Sequence, residues 1–247
     1  MAQLFNVHPQ NPQSRLCKQA ADLINSGGIA AIPTDSCYAL VCHLDDKNAV
    51  ERLRRLKGIS EKQHLALLCK DLSELGSYAK VNNVQYRLLK SVFPGPYTFI
   101  LEATKEVPKR VSHPSKKSIG LRVPAHAVVQ GLLEHIEGAL IATTLQLPGM
   151  EEPARSGWEA QEAVGNDVDL IVDDGEYCGA FPTTVIDWTS EEPVVVRIGA
   201  GPLTGPLEPV TVSSKMFDLV SNTSANEAVP REEPKGEFGP PLMLMYS

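Results

Sequence analysis

The chain has 247 residues, 43% of them apolar and 21% charged, with a net charge of −7. That is enough for one large domain or two small ones with a substantial core, in the composition of an ordinary soluble globular protein. No run approaches the ~20 apolar residues that span a bilayer, and residues 1–15 read as neither a secretory signal nor a transit peptide. A cytoplasmic protein with no membrane partner is therefore expected.

Residues 11–26 predict a helix with Leu16, Ala20, Leu23 and Ile24 on one face, closed by Gly27-Gly28. Residues 29–33 read as a short, wholly apolar strand buried on both faces. Pro33-Thr34-Asp35-Ser36 then delivers hydroxyls and a carboxylate at its end. Residues 46–57 are amphipathic, with Ala49, Val50, Leu53 and Leu56 inward and Arg52, Arg54 and Arg55 outward as a solvated face. A strand at 65–69, a helix from 71 or 72 to 79 and a helix at 83–92 follow, the last closed by Pro94-Gly95-Pro96. Residues 97–103 alternate like a strand. Strands at 118–123, 139–144, 168–172, 183–187 and 194–198, with helices at 125–136 and 158–164, complete the pattern. Such alternation implies a mainly α/β, three-layer domain over residues 1–207. Residues 208–247 are expected to form a disordered tail, rich from Ser221 onward in Pro, Glu, Ser and Asn.

Five cysteines (Cys17, Cys37, Cys42, Cys69, Cys178), odd in number and set in apolar segments, fit buried thiols in a reducing compartment. The acidic balance gives no compositional support to nucleic-acid binding. The tail, with six acidic and three basic residues, carries part of that imbalance, and recognition depends on where cations sit.

Familiar catalytic signatures are missing. There is no Gly-x-x-x-x-Gly-Lys-Ser/Thr loop. Gly199-Ala200-Gly201 lacks a third glycine at the required place and a helix behind it. Cys37 and Cys42 have no further Cys or His pair at ligand spacing, so no metal site is expected. No Gly-x-Ser-x-Gly elbow occurs, and no catalytic protein nucleophile is expected. What remains is a set of hydroxyls and cations near strand and helix ends: Thr34, Ser36, Lys57, Ser118, Arg122, Thr143, Thr144, Thr183, Thr184 and Arg197. Chemistry at a phosphate needs little more, because positioning and charge neutralisation carry it. Arg122 and Arg197 each follow an apolar strand, where a guanidinium needs an anion. A protein carboxylate and a ligand satisfy that need equally well at this level. Trp158 and Trp188 read as packing residues, and the histidines as structural or surface groups.

Five ordered segments carry a family resemblance. Pro33-Thr34-Asp35-Ser36-Cys37-Tyr38-Ala39-Leu40 is similar to a Pro-Thr-Glu-Thr-x-Tyr-Gly-Leu motif, and Phe93-Pro94-Gly95-Pro96-Tyr97-Thr98 to Trp-Pro-Gly-Pro-x-Thr. Leu121-Arg122-Val123-Pro124 resembles Val-Arg-x-Pro; Pro182-Thr183-Thr184-Val185-Ile186-Asp187 resembles Pro-Ser-Thr-Val-x-Asp; Arg197 with Gly199 resembles a final Arg-x-Gly. These are motifs of the YrdC-type threonylcarbamoyl-AMP synthase family, which the chain resembles from about residue 12 to about residue 205. Two departures stand out. Where the synthases carry Lys-x-Arg-Pro this chain has Lys57-Gly58-Ile59-Ser60, and where they carry Ser-x-Asn it has Thr144-Leu145-Gln146. A further family histidine falls on Leu68. The departures, with Leu147-Pro148-Gly149, place the chain nearer the YciO branch.

The resemblance implies a large twisted mixed sheet with a concave ligand-binding face. It implies synthesis of threonylcarbamoyl-AMP from threonine, bicarbonate and ATP with Mg²⁺, serving threonylcarbamoylation of tRNA. On that reading Thr34, Thr144 and Thr183 hold threonine, with Arg122 on its carboxylate. Lys57, Ser118, Gln146 and Arg197 face the nucleotide. The loss of an arginine at Ile59 and of an asparagine at Gln146 implies weak synthase activity. Two alternatives carry different expectations: a module binding double-stranded RNA, and a nucleotide-binding enzyme acting on another acid or in the reverse direction.

Overall fold

The computed structural model describes residues 1–60, 65–113, 115–208 and 210–213. Of residues 208–247, expected to be a disordered tail, residues 211–212 instead form a strand paired in parallel with 194–195, and residues 214–247 lie outside the described residues. In chain order the elements are β1 (Gln3–Asn6), α1 (Ser14–Asn25), β2 (Ala30–Ile32), β3 (Ala39–His43), α2 (Lys47–Lys57), β4 (Ala66–Leu68), α3 (Leu72–Tyr78), α4 (Asn83–Val92) and β5 (Tyr97–Glu102). They continue as β6 (Ser118–Arg122), α5 (Ala127–Leu133), β7 (Leu140–Thr144), α6 (Gly157–Val164), β8 (Leu170–Asp173), β9 (Thr184–Asp187), β10 (Val194–Arg197), a 3₁₀ turn at Gly205–Leu207 and β11 (Thr211–Val212).

All eleven described strands join one mixed sheet in the order β1-β8-β2-β3-β7-β4-β6-β5-β9-β10-β11. Helices α1 and α5 pack together on one face, where Ala21, Ile24, Val129 and Leu133 meet Val41, Leu140, Leu68 and Leu170 of the strands. Successive strand residues point to opposite faces. The alternate set, which includes Ala31, Leu40, Cys42, Leu67 and Leu121, is just as deeply buried. Helix α2 packs against β3, and α6 against β2 and β8. The sheet centre is thus covered on both sides, which is why its strands read as continuous apolar runs.

Local chemistry sets the helix ends. Asp46 accepts the Ala49 amide at 2.8 Å to start α2, an N-cap of the usual kind. Gly58 ends it at φ +67°, a left-handed conformation suited to glycine. Asn82 and Gln85 form a reciprocal capping box at the start of α4.

Several expectations need correction. Strands β1, β3 and β11 have no counterpart in the sequence reading, and the last exists because it pairs in parallel with β10. The first is short and mostly exposed, so it shows no apolar signature; it exists because it pairs in parallel with β8. The second follows the polar turn so closely that its apolar residues read as a continuation of the loop. Strand β5 does not alternate: Tyr97 to Leu101 are all buried, because β5 has a strand on each side and cover on each face. Arg54 is buried rather than solvated, and its Nη1 donates to the Ser60 carbonyl at 2.7 Å just beyond the helix end. Trp188 is buried as a packing residue, but Trp158 is 68% exposed, since α6 turns Ala160 and Val164 inward instead. All five cysteines are buried and free.

Candidate functional site

Strands β2 and β3 are antiparallel neighbours with Ile32 opposite Ala39, so residues 33–38 form the loop of a hairpin. The loop is tightened by its own hydroxyl: Thr34 Oγ1 donates to the Cys37 carbonyl at 2.6 Å and accepts the Ser36 amide at 3.2 Å. This is the ST-turn use of threonine, and it leaves Thr34 and Ser36 almost fully buried. Tyr38 anchors the far side through its hydroxyl, which donates to the Val172 carbonyl at 3.2 Å.

Arg122, at the end of β6, reaches into this turn. Its Nη2 donates to Thr34 Oγ1 at 3.0 Å, to Ser36 Oγ at 3.1 Å and to the carboxylate of Asp35. The second oxygen of that carboxylate accepts the Ala125 amide at 2.8 Å. The anion that Arg122 requires is therefore supplied by the protein. Its Nε stays buried with no partner among the described residues, and the side chain forms part of a cavity wall.

That cavity, about 320 Å³, lies on the same face as α1 and α5, and shares Ala39, Leu68 and Ala142 with their core. Strand register explains the hollow. Ala142 of β7, Ala66 of β4 and Gly120 of β6 lie directly opposite one another across neighbouring strands. Three adjacent positions with no side chain beyond a methyl leave a depression in the sheet. Polar groups line it: Ser36, Arg122, Thr143, Thr144, Thr98, Thr183 and Arg197. Thr98 and Thr183 share a hydrogen bond of 2.8 Å between their hydroxyls. Arg197 grips the Thr183 carbonyl through Nε at 3.0 Å and Nη2 at 2.8 Å, and the Thr183 hydroxyl at 3.1 Å. Thr184 points elsewhere, donating to the Gly201 carbonyl at 2.6 Å.

Electrostatics follow the crowding of cations. Burial lowers the Arg197 pKa below that of an ordinary guanidinium; the Cys37 thiol opposes this and nearby Arg122 adds to it. Burial likewise lowers the Lys57 ammonium, with Arg197 acting in the same direction. The Cys37 thiol on the cavity wall is pushed up by burial, against the pull of Ser36, Arg122, Thr144 and Arg197. A pocket with surplus positive charge and thiols kept neutral favours an anion.

Of the residues singled out in the sequence, Arg122, Thr144, Thr183 and Arg197 line the cavity, and Thr34 backs it through Arg122 and Ser36. Three do not line it. Lys57 donates to the Gln146 carbonyl, while the Gln146 amide group donates to the carbonyls of Met150 at 3.3 Å and Glu151 at 3.0 Å. Ser118 is fully buried, and its hydroxyl has no partner among the described residues. Asp35 and Thr98 were missing from the set of expected site residues. Asp35 was visible as the acid inside the Pro-Thr-Asp-Ser turn; Thr98 carried no signal before its strand was placed beside β9.

A family model for Sua5, YciO and YrdC proteins, described as "Telomere recombination", matches residues 22–199. The chain belongs to the Sua5/YciO/YrdC family. It is 47% identical over 201 residues to the uncharacterized protein YciO of Escherichia coli K12, covering 81% of this chain and 97% of that protein. The crystal structure of E. coli YciO matches with a TM-score of 0.79 over 84% of this chain and all of that one. A threonylcarbamoyl-AMP synthase of Pyrococcus abyssi is 31% identical over 204 residues, 82% of this chain and 59% of that protein. The structure of P. abyssi Sua5 complexed with L-threonine has a TM-score of 0.81 at 26% identity, covering 87% of this chain and 64% of that one. The α/β fold with its large mixed sheet is thus the fold of Sua5 and YciO.

Proposed function

We propose that this protein is an adenylate-forming enzyme of the threonylcarbamoyl-AMP synthase type, using threonine, bicarbonate and ATP and serving tRNA threonylcarbamoyladenosine formation. The observation that carries this reading is the small cavity over Ala66, Gly120 and Ala142, lined by Arg122 and Arg197 together with threonine hydroxyls. It is supported by the similarity to a threonylcarbamoyl-AMP synthase and to a Sua5 structure holding L-threonine.

In this reading the threonine amine adds to carbon dioxide derived from bicarbonate and loses a proton, giving a carbamate. A carbamate oxygen then attacks the α-phosphorus of ATP; the bond to the bridging oxygen breaks and pyrophosphate leaves. No protein nucleophile is required. The carboxylate of threonine meets Arg122 at the cavity wall, and Thr144 and Thr183 hold its polar atoms. Arg197 neutralises charge on the phosphates, where fixed donors in a partly dry site act most strongly. Lys57 joins it by exchanging the Gln146 carbonyl for a phosphate oxygen. Ser118 and the Gln146 side chain take no direct part in this arrangement. Among the described residues no group of three or more His, Cys, Asp and Glu side chains could hold a metal ion. Mg²⁺ accordingly enters as part of the metal–nucleotide substrate, with no protein residue assigned to it.

One observation favours slow turnover or another acid. Lys57 and Gln146 are tied to each other and to the 146–151 loop, and Ile59 adds no charge. Among the described residues no helix is long and apolar enough to cross a membrane, and a cytoplasmic location belongs to the same proposal. Calorimetric titration with threonine and with Mg·ATP tests the reading: both should bind, and more tightly together. Salt-sensitive binding of double-stranded RNA with no response to either ligand would favour the RNA-binding alternative.

A further inference from the structure

We propose that His126 and Asp174, which nothing in the reaction itself requires, form a latch that positions Arg122 and Asp35 for the acid substrate. The proposal rests on the adenylate-forming reading only for the identity of that acid.

Residues 123–126 connect β6 to α5, and the Ala125 amide in this link holds Asp35 at 2.8 Å. The next residue, His126, occupies the N-cap of α5. Residues at that position usually offer an oxygen to the first free amides of the helix. His126 makes no such bond. Its ring turns inward instead, and Nε2 meets Asp174 Oδ2 at 3.3 Å, with 17% and 2% of the two side chains exposed. The ring's Nδ1 is also buried, without a partner among the described residues. Removing polar groups from water this way is unfavourable unless they are paired, so the one contact at Nε2 carries the placement of the ring.

Asp174 opens the loop that leads from β8 towards β9. Its Oδ1 accepts the Glu176 amide at 3.2 Å, which fixes the start of the turn. Gly179 approaches Ser36 so closely that a Cβ there would stand 2.6 Å from the Ser36 carbonyl oxygen. The Thr34–Ser36 turn is therefore gripped from two sides. One side holds Asp35 through Ala125; the other abuts Ser36. His126 and Asp174 join the two sides and close a ring around the three groups that orient Arg122. Neither residue lines the cavity, so both are positioning residues.

The test uses the full chain and the variants His126→Ala, His126→Gln, Asp174→Ala and Asp174→Asn. Amide hydrogen exchange at Ala125 is compared with the amides of β3, alongside titrations with threonine and Mg·ATP. In His126→Ala and Asp174→Ala, exchange at Ala125 should quicken about tenfold or more while β3 is unchanged. Threonine affinity should fall about tenfold with ATP affinity retained, and His126→Gln, which keeps a donor, should recover most of both. Unchanged exchange at Ala125 would overturn the latch. So would equal acceleration in β3, or an equal loss for both ligands, since a general loss of stability predicts those results. If wild type binds no threonine, the adenylate-forming reading fails and the exchange comparison alone decides the latch. If an alanine variant does not fold, His126→Phe, which keeps a ring but no donor, and Asp174→Asn, which removes the charge, decide it by the same comparison.

Discussion

Arg122 and Asp35 are bonded to each other with only 8% and 10% of their side chains exposed, and the same carboxylate fastens the start of the chain leading into α5. Removing one partner leaves the other charged and buried, a loss of about 3–5 kcal/mol, whereas removing both costs much less than the two together. Asp35→Ala and Arg122→Ala should each lower unfolding stability by about that amount, and the double variant by clearly less than the sum. Urea denaturation of the four proteins checks this. Additive losses would show that the two side chains stabilise the fold independently.

Arg197 and Lys57 are expected to hold the nucleotide, and a hydrogen bond to a charged group contributes about 1.5–3 kcal/mol. Arg197→Ala and Lys57→Ala should each weaken Mg·ATP binding by about ten- to a hundredfold. Burial lowers the Lys57 pKa, so the ammonium loses its proton at a lower pH than an ordinary lysine. Nucleotide affinity should therefore decline as pH rises through that lowered value, and Lys57→Ala should flatten the decline. Calorimetry across the alkaline range measures both effects. An identical slope in the variant would remove Lys57 from the nucleotide site.

Much of this arrangement was legible in the sequence because it depends on local patterns. The apolar run ending in Pro33-Thr34-Asp35-Ser36 fixed a buried strand and a polar turn, and Arg122 and Arg197 stood out as cations after apolar strands. Features that depend on pairing partners were not legible. Strand β1 is defined by β8, a partner more than 160 positions away. The cavity floor exists only because register brings Ala66, Gly120 and Ala142 abreast, and each of these is unremarkable alone. Arg54 looked solvated because the Ser60 carbonyl that receives it lies beyond the helix. Likewise, His126 and Asp174 gave no sign that they meet.

Buried thiols should make the fold sensitive to alkali. Burial pushes the Cys42 and Cys178 thiols up to about 12, against about 9 for an exposed thiol. Above that ordinary value the unfolded chain loses protons that the folded chain keeps, so stability falls as pH rises. The contribution is complete below about 9 and is lost progressively towards about 12. Urea midpoints measured between about pH 8 and about pH 11 should decline, and Cys42→Ala should decline less steeply. Parallel slopes for the two proteins would contradict the assignment to Cys42.

Ile59 and Gln146 are the residues expected to limit turnover. Ile59→Arg with Gln146→Asn should raise threonine-dependent pyrophosphate release, by ~10²-fold or less, since one restored electrostatic contact has about that effect and its supporting residues were not selected for it. No response in a folded double variant would show that these two positions do not control the rate.

The central claim is tested most directly by incubating the full chain with Mg·ATP, threonine and bicarbonate and following the adenylate by mass spectrometry and pyrophosphate release. The account predicts threonylcarbamoyl-AMP that forms only when threonine and bicarbonate are both present, at a low rate, and is lost in Arg197→Ala. Pyrophosphate release indifferent to threonine and bicarbonate, or no adenylate from protein shown to bind both ligands, would contradict it.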